Sequence, residues 1–276
     1  MMRRRSTAGS DDDGAGYLMS VSDMMAGLLF VFLITLVAFV INFRIATDEQ
    51  RTAQEAAQAE KEQAIVEKER AEAVRDDLTN ARRLREDMLE DIRRRLEERG
   101  IRVEIDNDHG VLRLSENAIS FGSSQAELKA AEQAKLGQIG AVLLEVLPCY
   151  AADADAGCDE GTRGKLEAVF IEGHTDNVPL QSGGRFRNNL DLSAQRAMYT
   201  FELLKNREPG LAELRNKLGQ PLFSVSGYGE GRPVIEHPAP TDEPRNRRID
   251  LRFIMAPPPA TQEPEPVRTL RQRGVR

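Results

Sequence analysis

The chain has no tryptophan, three histidines and two cysteines in 276 residues. Aromatic residues make up 5% of the positions, too thin a supply for a base-stacking platform. The net charge of −7 also points away from nucleic acid as a partner. Two cysteines, Cys149 and Cys158, are too few for a zinc site. They lie in an Ala/Asp/Gly-rich stretch, Pro148 to Gly164. In an oxidising compartment they close a short loop as a disulfide; elsewhere they are two free thiols in an insertion. His174 stands beside one acid, with no second histidine near it in sequence, and reads as a turn-stabilising residue, not a metal ligand. No glycine-rich phosphate loop follows a strand, because Gly227-x-Gly leads to Pro233 and not into a helix. With no acid pair, nucleophile or metal cluster to support a hydrolase, the expectation is a protein that is not an enzyme and has neither cofactor nor metal.

What is present is sharply segregated. From Met24 to Ile41 every residue is apolar or small except Thr35. With Tyr17 to Met19 and Phe43 at its ends, the run is long enough to cross a hydrocarbon core of roughly 30 Å. Cleaved signal peptides have shorter apolar cores and a small-residue cleavage site, so residues 17–43 read as an uncleaved transmembrane helix. Arg3, Arg4 and Arg5 precede it and Arg44 alone follows. That bias predicts a cytoplasmic tail, residues 1–16, and a periplasmic bulk. In a bacterium with that compartment, the expected address is the inner membrane, crossed once. Asp23 lies about one turn inside the cytoplasmic end. An acid at mid-span costs about 2.5–3.5 kcal/mol, less near an end, and such acids face protein or water and often carry ions. Capping is the plainer role, with Ser20 as N-cap and Asp23 three residues on. The two roles are compatible.

Residues 44–100 are rich in Ala, Glu, Gln, Lys and Arg, with no Pro or Gly before Gly100. These are strong helix formers, and the helix would reach roughly 80 Å at 1.5 Å per residue. In its second half Val74, Leu78, Ala81, Leu84, Met88, Ile92 and Leu96 recur at three- and four-residue steps. This narrow seam suits a helical partner, expected to be the same helix in a second copy, hence a homodimer. A solvated single helix held by i,i+4 charge pairs is the alternative. Gly100 ends the helix.

Residues 101–255 have a mixed pattern. Ile101–Ile105 and Val111–Leu114 alternate around a turn and read as a hairpin. An amphipathic helix follows over 127–147, then a strand over 165–172. A second helix covers about 193–206, with strands at 223–228 and 248–254. The order β-hairpin, α, β, α, β, β predicts an α+β layer with two helices on one sheet. Residues 256–276, Pro-rich and then basic, read as a disordered tail.

Two resemblances sharpen this. The string Ser22-Asp23-Met24-Met25-Ala26-Gly27-Leu28-Leu29-Phe30-Val31-Phe32 resembles the membrane helix of MotB-type stator subunits. There an Asp followed by Met, a small residue and a Phe-rich run carries the proton or sodium ion. The form found here is most similar to ZorB-type subunits of Zorya anti-phage systems. The resemblance implies an ion-carrying Asp23 and a multi-span MotA- or ZorA-like partner subunit.

The second concerns Ile171-Glu-Gly-His-Thr-Asp-Asn177, Asn189-Leu-Asp-Leu-Ser-Ala-Gln-Arg-Ala197, Gly227-Tyr-Gly-Glu-Gly-Arg-Pro233 and Asn246-Arg-Arg-Ile-Asp250. Together these resemble OmpA-like peptidoglycan-binding domains, which implies an α/β sandwich binding the diaminopimelate of the peptide stem. That ligand presents an ammonium and a carboxylate on one carbon. By the resemblance Asp176 takes the ammonium and Arg196 the carboxylate in a bidentate fork, with Asn189 in support and Thr175, Asn177, Arg247 and Arg248 as neighbours. Alone, Asp176 would cap a turn and Arg196 would be a surface charge. The functional expectation is a wall-anchored subunit of an ion-driven motor, in anti-phage defence. A flagellar-type stator subunit, or a passive tether from inner membrane to wall, is the alternative.

Overall fold

The computed structural model describes residues 12–114, 118–153 and 157–257, with side chains described from residue 21 onward. Arg3, Arg4, Arg5 and most of the expected cytoplasmic tail lie outside the described residues, as does the tail beyond residue 257. The chain divides into two units, Met1–Arg70 and Ala71–Arg276.

One helix, α1 (Asp12–Glu98), begins in the first unit and ends in the second. In the first unit it contains the apolar run, whose side chains are all exposed, Met24 and Phe39 by 69% and 67%. It is the one helix among the described residues long and apolar enough to cross a membrane. The capping role expected of Ser20 is corrected here. The helix already runs from Asp12, so Ser20 is interior and Asp23 sits about three turns in. Fields at a helix terminus fade within the first turn.

In the second unit Gly100 stops α1 two residues past Glu98, and its φ of +76° suits glycine. The amide of Ile101 donates to the Leu96 carbonyl and that of Gly100 to Glu97, both at 2.9 Å. Ile101 and Leu96 are buried together. This is a Schellman ending with its apolar contact. It turns the chain into β1 (Glu104–Asp106) and β2 (Val111–Leu114). Then follow α2 (Ala130–Val146), β3 (Leu166–Gly173), α3 (Asn189–Arg207), the short α4 (Gly210–Glu213), β4 (Phe223–Gly227) and β5 (Ile249–Met255). The sheet order is β1-β2-β5-β3-β4, with β3 and β4 parallel and the other pairs antiparallel. The hairpin, both longer helices and all later strands fall within a few residues of their expected places. The result is the expected α+β layer.

The seam on α1 has a different partner from the one its spacing suggests. Met88, Ile92 and Leu96, with Leu89 beside them, are fully buried in the domain's own core with Leu143 of α2 and Leu112 of β2. Arg95 of α1 also reaches Glu145 of α2 at 3.3 Å. A second copy therefore has no access to this half of the seam. The periodicity correctly demanded an apolar partner, and the chain supplies it. Leu78 remains 55% exposed. In the stretch between α2 and β3, Cys149 and Cys158 are joined, with Cα atoms 5.3 Å apart. The Cys149 carbonyl accepts from the Thr162 hydroxyl at 2.8 Å.

The start of α3 is pressed onto the C-terminal ends of β3 and β4. A Cβ on Gly173 would stand 2.0 Å from the Ser193 carbonyl oxygen, so no larger residue fits there. Asn188 caps the helix by accepting from the Asp191 amide at 2.9 Å. This contact brings the loop after β3, the first turns of α3 and the loop after β4 to one edge of the sheet.

Candidate functional site

Six of the seven residues expected to bind ligand, Asp176, Arg196, Asn189, Thr175, Asn177 and Arg247, gather at or beside that edge, several of them already engaged with partners inside the chain. Asp176 is 6% exposed and pairs with Arg247, whose Nη1 lies 2.7 Å from its Oδ2. Arg247 also pairs with Asp242. The acid expected to await an ammonium is thus already neutralised by a neighbouring guanidinium.

Arg196 is fully buried. Its Nε donates to the Gln125 carbonyl at 2.8 Å, Nη1 to the His174 carbonyl at 3.2 Å and Nη2 to the Gly122 carbonyl at 3.0 Å. Its guanidinium lies over the Phe121 ring at 5.0 Å. Burial lowers its pKa to about 10, against the Asp176 charge, which raises it, and with Arg247, which lowers it further. It still carries its charge at neutral pH. The expectation of an open fork is corrected: three of the five N–H groups of a guanidinium are committed to backbone carbonyls here.

Asn189 donates from Nδ2 to the Val178 carbonyl at 3.1 Å and bonds the Glu230 carboxylate, while its Oδ1 is buried without a partner. Thr175 is 2% exposed and its hydroxyl also lacks a partner. Asn177 fastens the loop after β4, accepting from the Thr241 amide at 2.7 Å and donating to the Ala239 carbonyl at 3.0 Å. Arg248 faces elsewhere. Its Nε bonds both oxygens of Asp250 at 3.1 Å, and it is 3% exposed, so it belongs to the sheet's charge network. The position of Arg248 beside Arg247 in sequence suggested a shared role; in the fold Arg247 closes the turn 244–246 and pairs with Asp176, while Arg248 pairs with Asp250.

Sequence reasoning missed Glu230. Its exposed carboxylate touches Asn189 and lines two cavities, one of about 230 Å³ with Thr175 and Asn246, one of about 520 Å³ with Leu190 and Tyr228. The signal was in the quoted Gly227-Tyr-Gly-Glu string. Asp242 had no signal.

One buried cluster has a donor set that a metal ion would need. Ligand atoms of Glu172, His174 and Asp250 lie within 4.8 Å of one another. Yet Glu172 is held by Arg252 at 2.7 and 2.9 Å, and Asp250 by Arg248 and by Arg113 at 3.4 Å. Three guanidiniums already match two carboxylates and a neutral ring, so the cluster is an ion-pair network unsuited to a cation. Burial pushes Asp250 up and Arg248 down. The paired geometry keeps both charged, since arginine does not lose its proton in this range.

His174 is no turn residue. It is 1% exposed, follows β3 directly, and stacks on Tyr228 at 5.4 Å. Burial, then Arg248, Arg113, Arg232 and Arg252, lower its pKa from 6.5 to about 2. The unfolded chain therefore takes up a proton near pH 6.5 that the folded chain refuses until about pH 2. Stability is complete above pH 6.5 and falls as pH drops through that window. The expected loss between pH 7.5 and 5.5 is about 1.4 kcal/mol. Urea unfolding of the full chain in detergent, followed by tyrosine fluorescence, would read it. His174→Gln should flatten the slope; an equal slope in that variant would assign the acid sensitivity elsewhere.

No family model matches the chain. It is 33% identical to Motility protein B of Bacillus subtilis (strain 168) over 86 residues, 31% of this chain. The match spans 30% of that relative's length. Among solved structures, a MotB-like protein from Desulfovibrio vulgaris is 17% identical with a TM-score of 0.45, covering 64% of this chain and 98% of that one. The cell wall anchor of the T6SS from Pseudomonas aeruginosa is 21% identical with a TM-score of 0.39, covering 58% of this chain and 92% of that one.

Proposed function

We propose that this chain is a wall-anchored subunit of an ion-driven inner-membrane motor, with its N-terminus cytoplasmic and the residue 101–255 domain in the periplasm. The observation that carries the reading is one chain holding both an acid in an apolar helix, Asp23, and the Asp176–Asn189–Arg196 constellation. Asp23 loads and releases the coupling ion against a multi-span partner of MotA or ZorA type. A membrane potential supplies about 2.3 kcal/mol per charge per 100 mV to that step. Two copies of the chain flank the ion path, joined through the exposed part of α1 ahead of Met88. The domain holds peptidoglycan through the diaminopimelate stem, with Asp176, and Glu230 beside it, facing the ammonium. Arg196 faces the carboxylate, with Asn189, Thr175 and Arg247 around the pair. The chain is a structural subunit and not an enzyme.

The form of the membrane string supports an anti-phage output, as in ZorB-like subunits. The match to a protein named for motility favours a flagellar-type output as the second reading. Wall binding is tested with the full chain in detergent mixed with isolated diaminopimelate-type sacculi. The chain should sediment with them, and millimolar free diaminopimelate should release it. Retention that free diaminopimelate leaves unchanged would refute the assigned ligand, and no retention would refute the anchor.

A further inference from the structure

Between Asp176 and Asn189 the chain carries residues 178–188, whose two ends are tied to α3 through Val178 and Asn188 and whose middle has no role in the site described so far. Its far end holds Phe186, only 8% exposed, which forms with Ala126 and Leu192 an apolar cluster separate from the main core. Leu180, from the near end, packs against the same cluster. Arg185 lies over the Phe186 ring at 5.3 Å and pairs with Glu127 at 2.7 Å. Ala126 and Glu127 continue the strap 122–125 whose carbonyls, at Gly122 and Gln125, enclose Arg196. Thus the segment grips the strap, and the strap covers the buried guanidinium.

We infer that residues 178–188 form a lid that, by pinning the strap 122–127 over Arg196, keeps the Asp176–Arg196 site shut in the free chain, and that it must release the strap before a ligand carboxylate reaches Arg196. This rests on the wall-binding reading above. The fastening is light. Away from its ends, where Val178, Arg187 and Asn188 bond Asn189 and Asp191 of α3, it consists of a few apolar side chains and of an ion pair 68% and 60% exposed, a class of contact that contributes little. Segments with so few buried contacts open locally well before the fold does. Apparent affinity is then the intrinsic affinity scaled by the open fraction, so loosening the lid raises it.

The test is binding of a soluble muropeptide with a diaminopimelate stem to the full chain in detergent, together with amide hydrogen exchange over residues 122–128. Phe186→Ala should tighten binding on the order of tenfold and speed exchange in that strap. Arg185→Glu, which sets two acids face to face, should act in the same direction by roughly two- to threefold. Adding Glu127→Arg to it should restore wild-type behaviour. If the wild type binds and Phe186→Ala binds equally or more weakly, the lid is refuted while the wall reading stands. If neither chain binds muropeptide, the wall reading fails, and the exchange rates decide the lid alone: unchanged rates over 122–128 in Phe186→Ala would refute it.

Discussion

Asp23→Asn is expected to abolish motor output while leaving the chain inserted and its domain folded. The substitution keeps side-chain size and hydrogen-bonding capacity and removes the charge that an ion carrier needs. Asp23 lies about three turns inside α1, too far from the helix start for a capping or terminal-field role. After it comes an apolar run in which Met24, Leu28 and Phe32 are 69%, 67% and 63% exposed. An acid beside such a run is costly unless protein or water meets it, and Asn costs less, so insertion should not suffer. The measurement is plaque formation by phage, or swimming torque for a flagellar output, at matched chain levels. Output equal to that of cells lacking the chain supports the ion role. Undiminished output would leave a passive tether, in which Asp23 has no work to do.

How far the sequence carried this picture depends on how local each signal is. The hairpin, α2, α3 and the later strands were legible because alternation and helical spacing act over a few residues. Gly100 was legible as a helix end because a left-handed position after a long Ala/Glu/Arg run favours glycine. The seam on α1 was legible as a seam only. Spacing shows that Met88, Ile92 and Leu96 want an apolar partner, and nothing in it tells a second copy from a sheet that begins six residues past the helix end. Ser20 failed as a cap because residues before it, Asp12 onward, extend the helix without an apolar pattern to announce it. At the site, the four strings located Asp176, Asn189 and Arg196 together, since Asp176 lies just past the end of a strand and the other two within the first turns of one helix. The enclosure of Arg196 was not legible. Its carbonyl partners lie 22, 71 and 74 positions away and are backbone atoms, which carry no residue-type signal. The exchange of partners at Asp176 was hidden for the same reason, because Arg247 arrives from 71 positions away.

Asp176→Asn should weaken binding to sacculi by about 2–5 kcal/mol, roughly thirtyfold to several thousandfold, the usual loss when one partner of a buried charge pair is removed. The fold should survive it. The Asp176 backbone carbonyl still accepts from Asn189 at 3.3 Å, and Arg247 keeps Asp242 as a second partner. The amide preserves the shape of the carboxylate, and its one oxygen, turned toward Arg247, still accepts the bond that Asp176 Oδ2 accepts now, so the urea midpoint should move little. A larger truncation, Asp176→Ala, leaves Arg247 with less compensation and should cost stability as well. The pair of variants therefore separates two roles. If Asp176 only neutralises Arg247, both variants lower stability and binding in proportion. If Asp176 meets the ligand's ammonium, Asp176→Asn loses binding at nearly full stability. Ligand binding then requires Arg247 to turn toward Asp242 as the ammonium arrives, a swap of one cation for another that leaves the buried carboxylate paired throughout. Retained sacculus binding by a fully folded Asp176→Asn chain would place the ammonium on Glu230 instead.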